Sequence, residues 1–373
     1  VTNQGLSRRR FLGGIALAAC AVPVSALAKK LDIQDKNYDS LPALREIAQR
    51  AGALYGAAVA IDELNADDAF AAAVVDECNL IVPENDLKWT ALRPDPHTWD
   101  FGRADALLAF AKANDMKMRG HTLVWHQAFP QWLRRDLDED NALSMMQEHI
   151  HKVVGRYKGK LIAWDVVNEA IHLKDGREDG LRKTPWLQTL GPSYINSAFT
   201  FAAEADPQCK LVYNDYGAEF YGEDSKADAI VALLERLQDN NVPLHGVGIQ
   251  AHLDAKGSMD QKKLAAFCRR VRVMGLELQI TELDVKNQED TDDKDQFDRL
   301  VASKTREFMD IVLAEANPTE ILTWGLSDKL TWLDMPDENP YGLEVRPLPL
   351  DANNHRKRMW RTLYDTFDHM AQK

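Results

Sequence analysis

Short apolar runs alternate with amphipathic stretches along the chain, regularly from about residue 55 to residue 370. Brief apolar runs between polar loops read as buried strands. They fall at 55–60, 78–82, 116–123, 161–167, 210–214, 244–251, 276–280 and 320–324. Between them apolar positions recur at helical spacing over 65–77, 102–114, 141–156, 193–205, 225–239, 259–273 and 294–316, with a last stretch at 352–370. That spacing buries one face of each helix against a sheet. A short helix is also expected over 41–50, capped by Ser40 and with Pro42 in its first turn.

Eight strands, each followed by a helix, predict a single (β/α)8 TIM barrel over residues 41–373. The rival is an open, doubly wound sheet. Against it, no G-x-G-x-x-G follows any strand, and polar or aromatic residues end nearly every strand instead of one switch point. Two strands share one grammar: Val166 and Val167 lead into Asn168 and Glu169, and Ile280 and Thr281 lead into Glu282. A carboxyl group carried out of the core by a rigid strand is well placed for acid chemistry, and Glu169 and Glu282 are read as a working pair.

In a barrel the carboxyl ends of all the strands surround one pocket. The second strand leads to Glu84, Asn85, Lys88 and Trp89, and the third to His121, Trp125 and His126. Asn168 and Glu169 end the fourth, and Tyr213, Asn214, Asp215 and Tyr216 the fifth. Gln250 and His252 end the sixth, Glu282 and Asp284 the seventh, while Trp324, Asp328 and Trp332 follow the eighth. Sugars require that mixture: their hydroxyls take amide, carboxylate and ammonium partners, and their C–H faces stack on indole rings. One tryptophan alone would more often be core; three at strand ends, each beside polar residues, favour a binding cleft. His126 and Asp215 fit a loop brace and a substrate contact equally well. His121 and His252 lack H-x-H or H-E-x-x-H spacing, and no phosphate loop is present, so neither metal nor cofactor is expected.

Charge narrows the ligand further. The formal net charge is -13, and the first 28 residues hold three arginines and no acids, leaving the remainder near -16. That balance argues against a nucleic-acid partner and favours neutral or basic material. Cys78, Cys209 and Cys268 show no C-x-x-C spacing and read as buried packing thiols.

Arg8, Arg9 and Arg10 precede an apolar run too short to span a bilayer, followed by Ala26-Leu27-Ala28. Residues 1–28 therefore read as a twin-arginine-like export signal with a small-residue cleavage site, and 29–40 as a linker. Leu17-Ala18-Ala19-Cys20 offers the alternative of a lipoprotein signal acylated at Cys20. A periplasmic or secreted location is expected, with no membrane association unless Cys20 is lipidated, and a monomeric state.

Seven segments together carry a family resemblance. They are Pro83-Glu84-Asn85 with Lys88-Trp89, the run 120–126, Trp164-Asp165-Val166-Val167-Asn168-Glu169, Tyr213-Asn214-Asp215-Tyr216, the run 248–253, the run 280–284, and Trp324-Gly325 with Asp328 and Trp332. In this order they resemble glycoside hydrolase family ten, the endo-β-1,4-xylanases, over about residues 41–370. The resemblance implies a (β/α)8 barrel that cleaves xylan and xylo-oligosaccharides with retention, with Glu169 as acid/base and Glu282 as nucleophile. It further implies that Glu84, Asn85, Lys88, His121, Trp125, Asn168, Gln250, His252, Trp324 and Trp332 line the sugar subsites. Tyr216 joins this set from its strand end, and His252 with Asp284 would orient Glu282. Residues 348–357 follow the family's closing segment only loosely, and the loop 334–347 departs from it. The rival readings are another β-1,4-glycan hydrolase, acting on cellulose or mixed-linkage glucan, and a non-catalytic glycan-binding protein.

Overall fold

The computed structural model describes residues 38–287 and 293–373; the expected export signal with Cys20, and the linker as far as residue 37, lie outside them. Among the described residues ten strands form: β1 Leu54–Val59, β2 Leu80–Pro83, β3 Lys117–Met118, β4 Gly120–Val124, β5 Ala163–Asn168, β6 Lys210–Asp215, β7 Gly246–Ile249, β8 His252–Asp254, β9 Glu277–Lys286 and β10 Glu320–Thr323. They pair in parallel along the path β3-β2-β1-β10-β9-β7-β6-β5-β4, with β8 added beside β9. Only Arg119 separates β3 from β4 in the chain, so the two ends of this path meet and the barrel closes. Counting β3 with β4 and β7 with β8 gives the eight staves expected of a (β/α)8 fold, and β5 and β9 are the fourth and seventh.

The strands are buried along nearly their whole length, as expected where helices cover one face and the barrel interior the other. Val166 and Val167 are both inaccessible. Close packing fixes two glycines. A Cβ on Gly120 would lie 2.2 Å from the Trp164 ring, and one on Gly248 would lie 2.2 Å from the Asn214 side-chain oxygen. The second vacancy is what lets the Asn214 amide lie across the barrel mouth.

Most helices begin and end within two residues of expectation, including Ala142–Arg156, Tyr194–Ala205, Ala227–Asp239 and Lys294–Glu315. Three expectations need correction. The first helix is Leu44–Arg50, not 41–50, and its N-cap is Ala43. The Leu41 carbonyl is taken instead by the Arg356 guanidinium at 2.9 Å, which holds 41–43 out of the helix. The stretch 65–77 is two helices, Ile61–Ala66 and Asp68–Glu77, because the Asp67 side chain accepts from the backbone N–H groups of Ala69 and Phe70 and starts a new turn. The last helix is Arg358–Ala371, since Asp351 accepts from the N–H groups of Asn353 and His355 and folds 351–355 into a turn. Buried Glu77 knits this outer layer together by accepting from Leu44 N–H (2.8 Å), Arg356 (2.6 Å) and the Trp360 indole (2.9 Å). Cys78, Cys209 and Cys268 are buried free thiols.

Candidate active site

Glu169 follows the last residue of β5, and its backbone adopts φ +56°, a left-handed conformation unusual for a residue with a side chain. The pairing of β5 with β6 is irregular between Asp165 and Val167. Such a bulge breaks strict alternation and re-aims the residues that follow it. Glu169 N–H bonds the Asn214 carbonyl at 2.9 Å, locking the turn to β6. Glu282 lies within β9, its N–H bonded to the Gln250 carbonyl at 3.0 Å.

A chain of amides joins the two carboxylates. Gln250 Nε2 donates to Glu169 Oε1 at 3.2 Å and to Asn168 Oδ1 at 3.1 Å. Asn214 Nδ2 donates to the same Asn168 oxygen at 2.9 Å and to Glu282 Oε1 at 2.6 Å. Thr281 donates to Asn214 Oδ1 at 2.7 Å. With Asn214 obliged to present its N–H groups to Glu282 and Asn168, the Asn168 carbonyl must face Asn214. That leaves the Asn168 amino group turned toward Glu169, 3.4 Å away.

The two carboxyl groups sit in opposite environments. Burial first, then the charges of Asp215 and Glu282, push Glu169 above the ordinary carboxyl range, against hydrogen bonds from Trp125 and Gln250. Burial also presses Glu282 upward, but the His252 hydrogen bond and the positive charge of His121 and His252 outweigh it, and its pKa is lowered. His252 Nε2 is 3.2 Å from Glu282 Oε2, and its Nδ1 is 2.9 Å from Asp284 Oδ1. Asp284 Oδ2 in turn accepts from the Trp332 indole at 2.7 Å. Against the desolvation that would neutralise it, two carboxylates hold the half-buried His252 in its charged form, well above its ordinary pKa. His121 similarly meets Asp165 at 3.0 Å. Each of these histidines thus has a ring nitrogen committed to a carboxylate.

Lys88, Asn85 and Glu84 form a second polar arm: Lys88 Nζ donates to Asn85 at 3.0 Å, and Asn85 donates to Glu84 at 3.2 Å. The ammonium lies 4.9 Å from the Trp125 ring centre and 5.9 Å from that of Trp324. Burial lowers the Lys88 pKa, while Glu282, Glu84 and Glu169 oppose the shift. His121 is edge-on to Trp324, and His252 to Trp332, each with ring centres 5.2 Å apart. Polar groups and indole faces therefore converge on the two glutamates.

Tyr216 stands apart from that convergence. Its hydroxyl accepts from Arg182 at 3.2 Å, and Lys226 Nζ lies 3.1 Å from its ring centre. Asp215 is a brace, accepting from Lys226 at 2.9 Å, from Ile171 N–H at 3.2 Å and from the Tyr213 hydroxyl. His126 approaches Glu169 only to 3.7 Å. Burial and the charges of Arg182, Lys226 and His172 pull its pKa down to about 3, so the contact involves a neutral imidazole and is not an ion pair.

Arg182 was not anticipated. Its Nε donates to the Glu169 carbonyl at 2.8 Å and its Nη2 lies 3.8 Å from the carboxylate, yet it comes from a bridge segment far from any strand end. Arg119 was also missed, although a charged residue inside an apolar strand run is a visible signal. It occupies the barrel interior, bonded to Asp165, to Glu320 at 2.9 Å and to Gln279 at 2.5 Å.

Comparison with known proteins agrees with this geometry. The family model for glycosyl hydrolase family 10 matches residues 43–366. A Beta-1,4-xylanase of Dictyoglomus thermophilum is 39% identical over 291 residues, covering 76% of this chain and 80% of that protein. Endo-1,4-beta-xylanase A of a Caldicellulosiruptor species is 38% identical over 280 residues, 69% of this chain but only 40% of that longer protein. The crystal structure of xylanase 10B from Thermotoga petrophila in complex with xylobiose superposes with a TM-score of 0.80 at 30% identity, covering 88% of this chain and 98% of that one. The chain belongs to glycosyl hydrolase family 10.

Proposed function

We propose that the protein is an endo-β-1,4-xylanase working by retaining double displacement, with Glu282 as nucleophile and Glu169 as acid/base. The observation that carries the assignment is the opposite setting of the two carboxyls, one buried beside other acids and one held by a charged imidazole. Glu282, ionised, attacks the anomeric carbon while Glu169, protonated, gives its proton to the departing oxygen. Forming the glycosyl ester removes the charge of Glu282, which is one of the charges raising Glu169. Glu169 then ionises more readily and takes the proton of an incoming water. The Asn168 amino group, which faces Glu169 with one N–H, has its other N–H to donate to the sugar's 2-hydroxyl, a contact that strengthens as positive charge develops on the ring and supplies several kcal/mol at the transition state. The wider ring of Glu84, Asn85, Lys88, Trp125, Gln250, Trp324 and Trp332 binds the xylan chain. Export through the twin-arginine-like leader, with Cys20 as an alternative lipid anchor, and a monomeric state complete the reading.

Product analysis tests it. Xylan, but not carboxymethylcellulose, should yield short oligosaccharides. Glu282→Ala should lose turnover by more than ~10^4-fold, with added azide returning a glycosyl azide of inverted configuration. Glu169→Ala should keep cleaving aryl xylosides with good leaving groups while losing xylan. Equal loss on both substrate types would sink the assigned roles, and preferential cleavage of the glucan would sink the substrate.

A further inference from the structure

The chain leaves β5 at Glu169 and then folds back on itself. Ile171 pairs antiparallel with Leu181, His172 N–H bonds the Gly180 carbonyl at 2.9 Å, and Arg182 N–H bonds the Ala170 carbonyl at 2.7 Å. This hairpin returns Arg182 to the turn from which Glu169 projects. The Arg182 side chain is 11% exposed, and its Nε donates to the Glu169 carbonyl at 2.8 Å, fixing the left-handed turn. Its Nη2 donates to the Tyr216 hydroxyl at 3.2 Å and lies 3.8 Å from Glu169 Oε2. The last distance is too long for a hydrogen bond and leaves a cation facing the carboxyl. Burial works against that charge, but the Tyr216 hydrogen bond and the charges of Glu169 and Asp215 hold the Arg182 pKa above its ordinary value.

The two oxygens of Glu169 are not equivalent. Oε1 accepts from Gln250 at 3.2 Å and from Asn168 at 3.4 Å, so the proton of the acid form belongs on Oε2. Oε2 is the oxygen that faces Arg182, and with it His126 Nδ1 at 3.7 Å. His126 is neutral, its pKa pulled down to about 3 by burial and the charges of Arg182, Lys226 and His172. From the other elements packed around it, Glu169 meets the charges of Asp215 on β6 and Glu282 on β9, and that of Lys88, whose ammonium is bonded to Asn85. Lys226 is engaged by Asp215 at 2.9 Å. Among the described residues, Arg182 is thus the one permanent cation within ion-pair distance of the Glu169 carboxyl.

We propose that Arg182 times the change of role at Glu169: its guanidinium is the counter-ion of the carboxylate that acts as base once Glu282 has been esterified. The inference rests on the retaining xylanase reading above and adds a positioning residue to it. While Glu282 is charged, burial, Asp215 and Glu282 together oppose ionisation, and Arg182 faces a neutral acid. When the ester has formed, part of that opposition is gone and Arg182 offsets the charge left on Oε2. The water oxygen then bonds to the anomeric carbon, the bond to Glu282 breaks with its electron pair returning to that carboxylate, and the water's proton goes to Glu169. Without Arg182, Glu169 ionises only at higher pH and the glycosyl-enzyme waits.

The test uses the full chain and two substrates. A xylo-oligosaccharide needs Glu169 as acid, and its kcat/KM reports that group in the free enzyme. Dinitrophenyl xylobioside has a leaving group that needs no proton, so breakdown of the glycosyl-enzyme limits its kcat. Arg182→Gln removes the charge and keeps an amide N–H. Losing a positive charge raises the Glu169 pKa, so two limbs should move to higher pH by about one unit: the basic limb of kcat/KM on the oligosaccharide and the acid limb of kcat on the aryl substrate. On the acid side of the second limb, kcat should fall about tenfold with KM falling in step, while the pre-steady-state burst persists. Added azide, which attacks without a base, should restore the lost turnover. Arg182→Lys keeps the charge, and its limbs should stay with those of wild type. Tyr216→Phe releases Nη2 toward Glu169 and should move both limbs slightly lower, a readout that stands even if Arg182→Gln does not fold. The proposal is overturned if the limbs of Arg182→Gln coincide with those of wild type, or if Arg182→Lys shifts them as far as Arg182→Gln does. Absence of a burst in wild type would instead overturn the retaining reading itself.

Discussion

His252 faces a different carboxylate with each ring nitrogen, so its charge is shared between orienting Glu282 and keeping it ionised. The nucleophile must be anionic to attack, and kcat/KM falls as pH drops through the Glu282 pKa. His252→Gln removes the positive charge, and burial then raises that pKa with less opposition. The acid limb of the pH profile should move to higher pH by about one unit, and the maximum should fall on the order of tenfold or more. A uniform loss with no shift of the limb would show that the ring only fills space. At this scale the strand-end rule recovered both glutamates, Gln250, His252 and Asp284, because strands deliver their last residues to one mouth. It could not recover Arg182, whose approach to Glu169 is made by a loop, nor foresee that Asp215 would be fully engaged in bracing the loops around Lys226 and Tyr213.

The helix Ala142–Arg156 carries a group whose cost depends on pH. His149 is fully buried, its ring stacked on Trp89 with centres 3.5 Å apart, and neither nitrogen has a partner among the described residues. Burial and the nearby Arg93 charge depress its pKa well below the ordinary value. Below about pH 6.5 the unfolded chain therefore takes up a proton that the folded chain refuses, and stability is lost as the pH falls. His149→Phe keeps the stack and removes the titration. Between pH 7 and pH 5 its thermal midpoint should fall by a few degrees less than that of wild type. Some slope will persist, since His126 shifts in the same direction. An identical fall in both proteins would place the acid sensitivity elsewhere. Elements of this length were legible from periodicity; the short helices Trp89–Leu92, Gln131–Asp136 and Pro185–Leu190 were not, because one or two turns carry too little pattern and stand on tertiary contacts. The N-terminal boundary at Leu44 was hidden for a related reason: Arg356, more than three hundred residues away, claims the carbonyl that would have begun the helix.

For the whole molecule, the barrel interior is held by a charge network as well as by packing. Arg119, at the point where the sheet closes, reaches Asp165 on β5, Gln279 on β9 and Glu320 on β10. Removing one partner of a buried network strands the others. Arg119→Met should destabilise by about 3–5 kcal/mol in urea titrations, and adding Glu320→Gln should recover part of the loss. A loss below ~1 kcal/mol would mean that water or rearrangement satisfies the abandoned acids. The closed topology was readable from eight strand–helix repeats, but this interior was not, since which side chains share a layer depends on stagger between strands.

The left-handed backbone at Glu169 has a consequence for how the protein can change. Only glycine, asparagine or aspartate adopts that conformation at little cost, and another side chain there costs about 1–2 kcal/mol. Ala251, after β7, is bent the same way at φ +61°. Under selection for heat tolerance alone, both positions would drift toward glycine. Under selection for turnover only the second is free to go, so thermal improvement and catalysis pull on residue 169 in opposite directions.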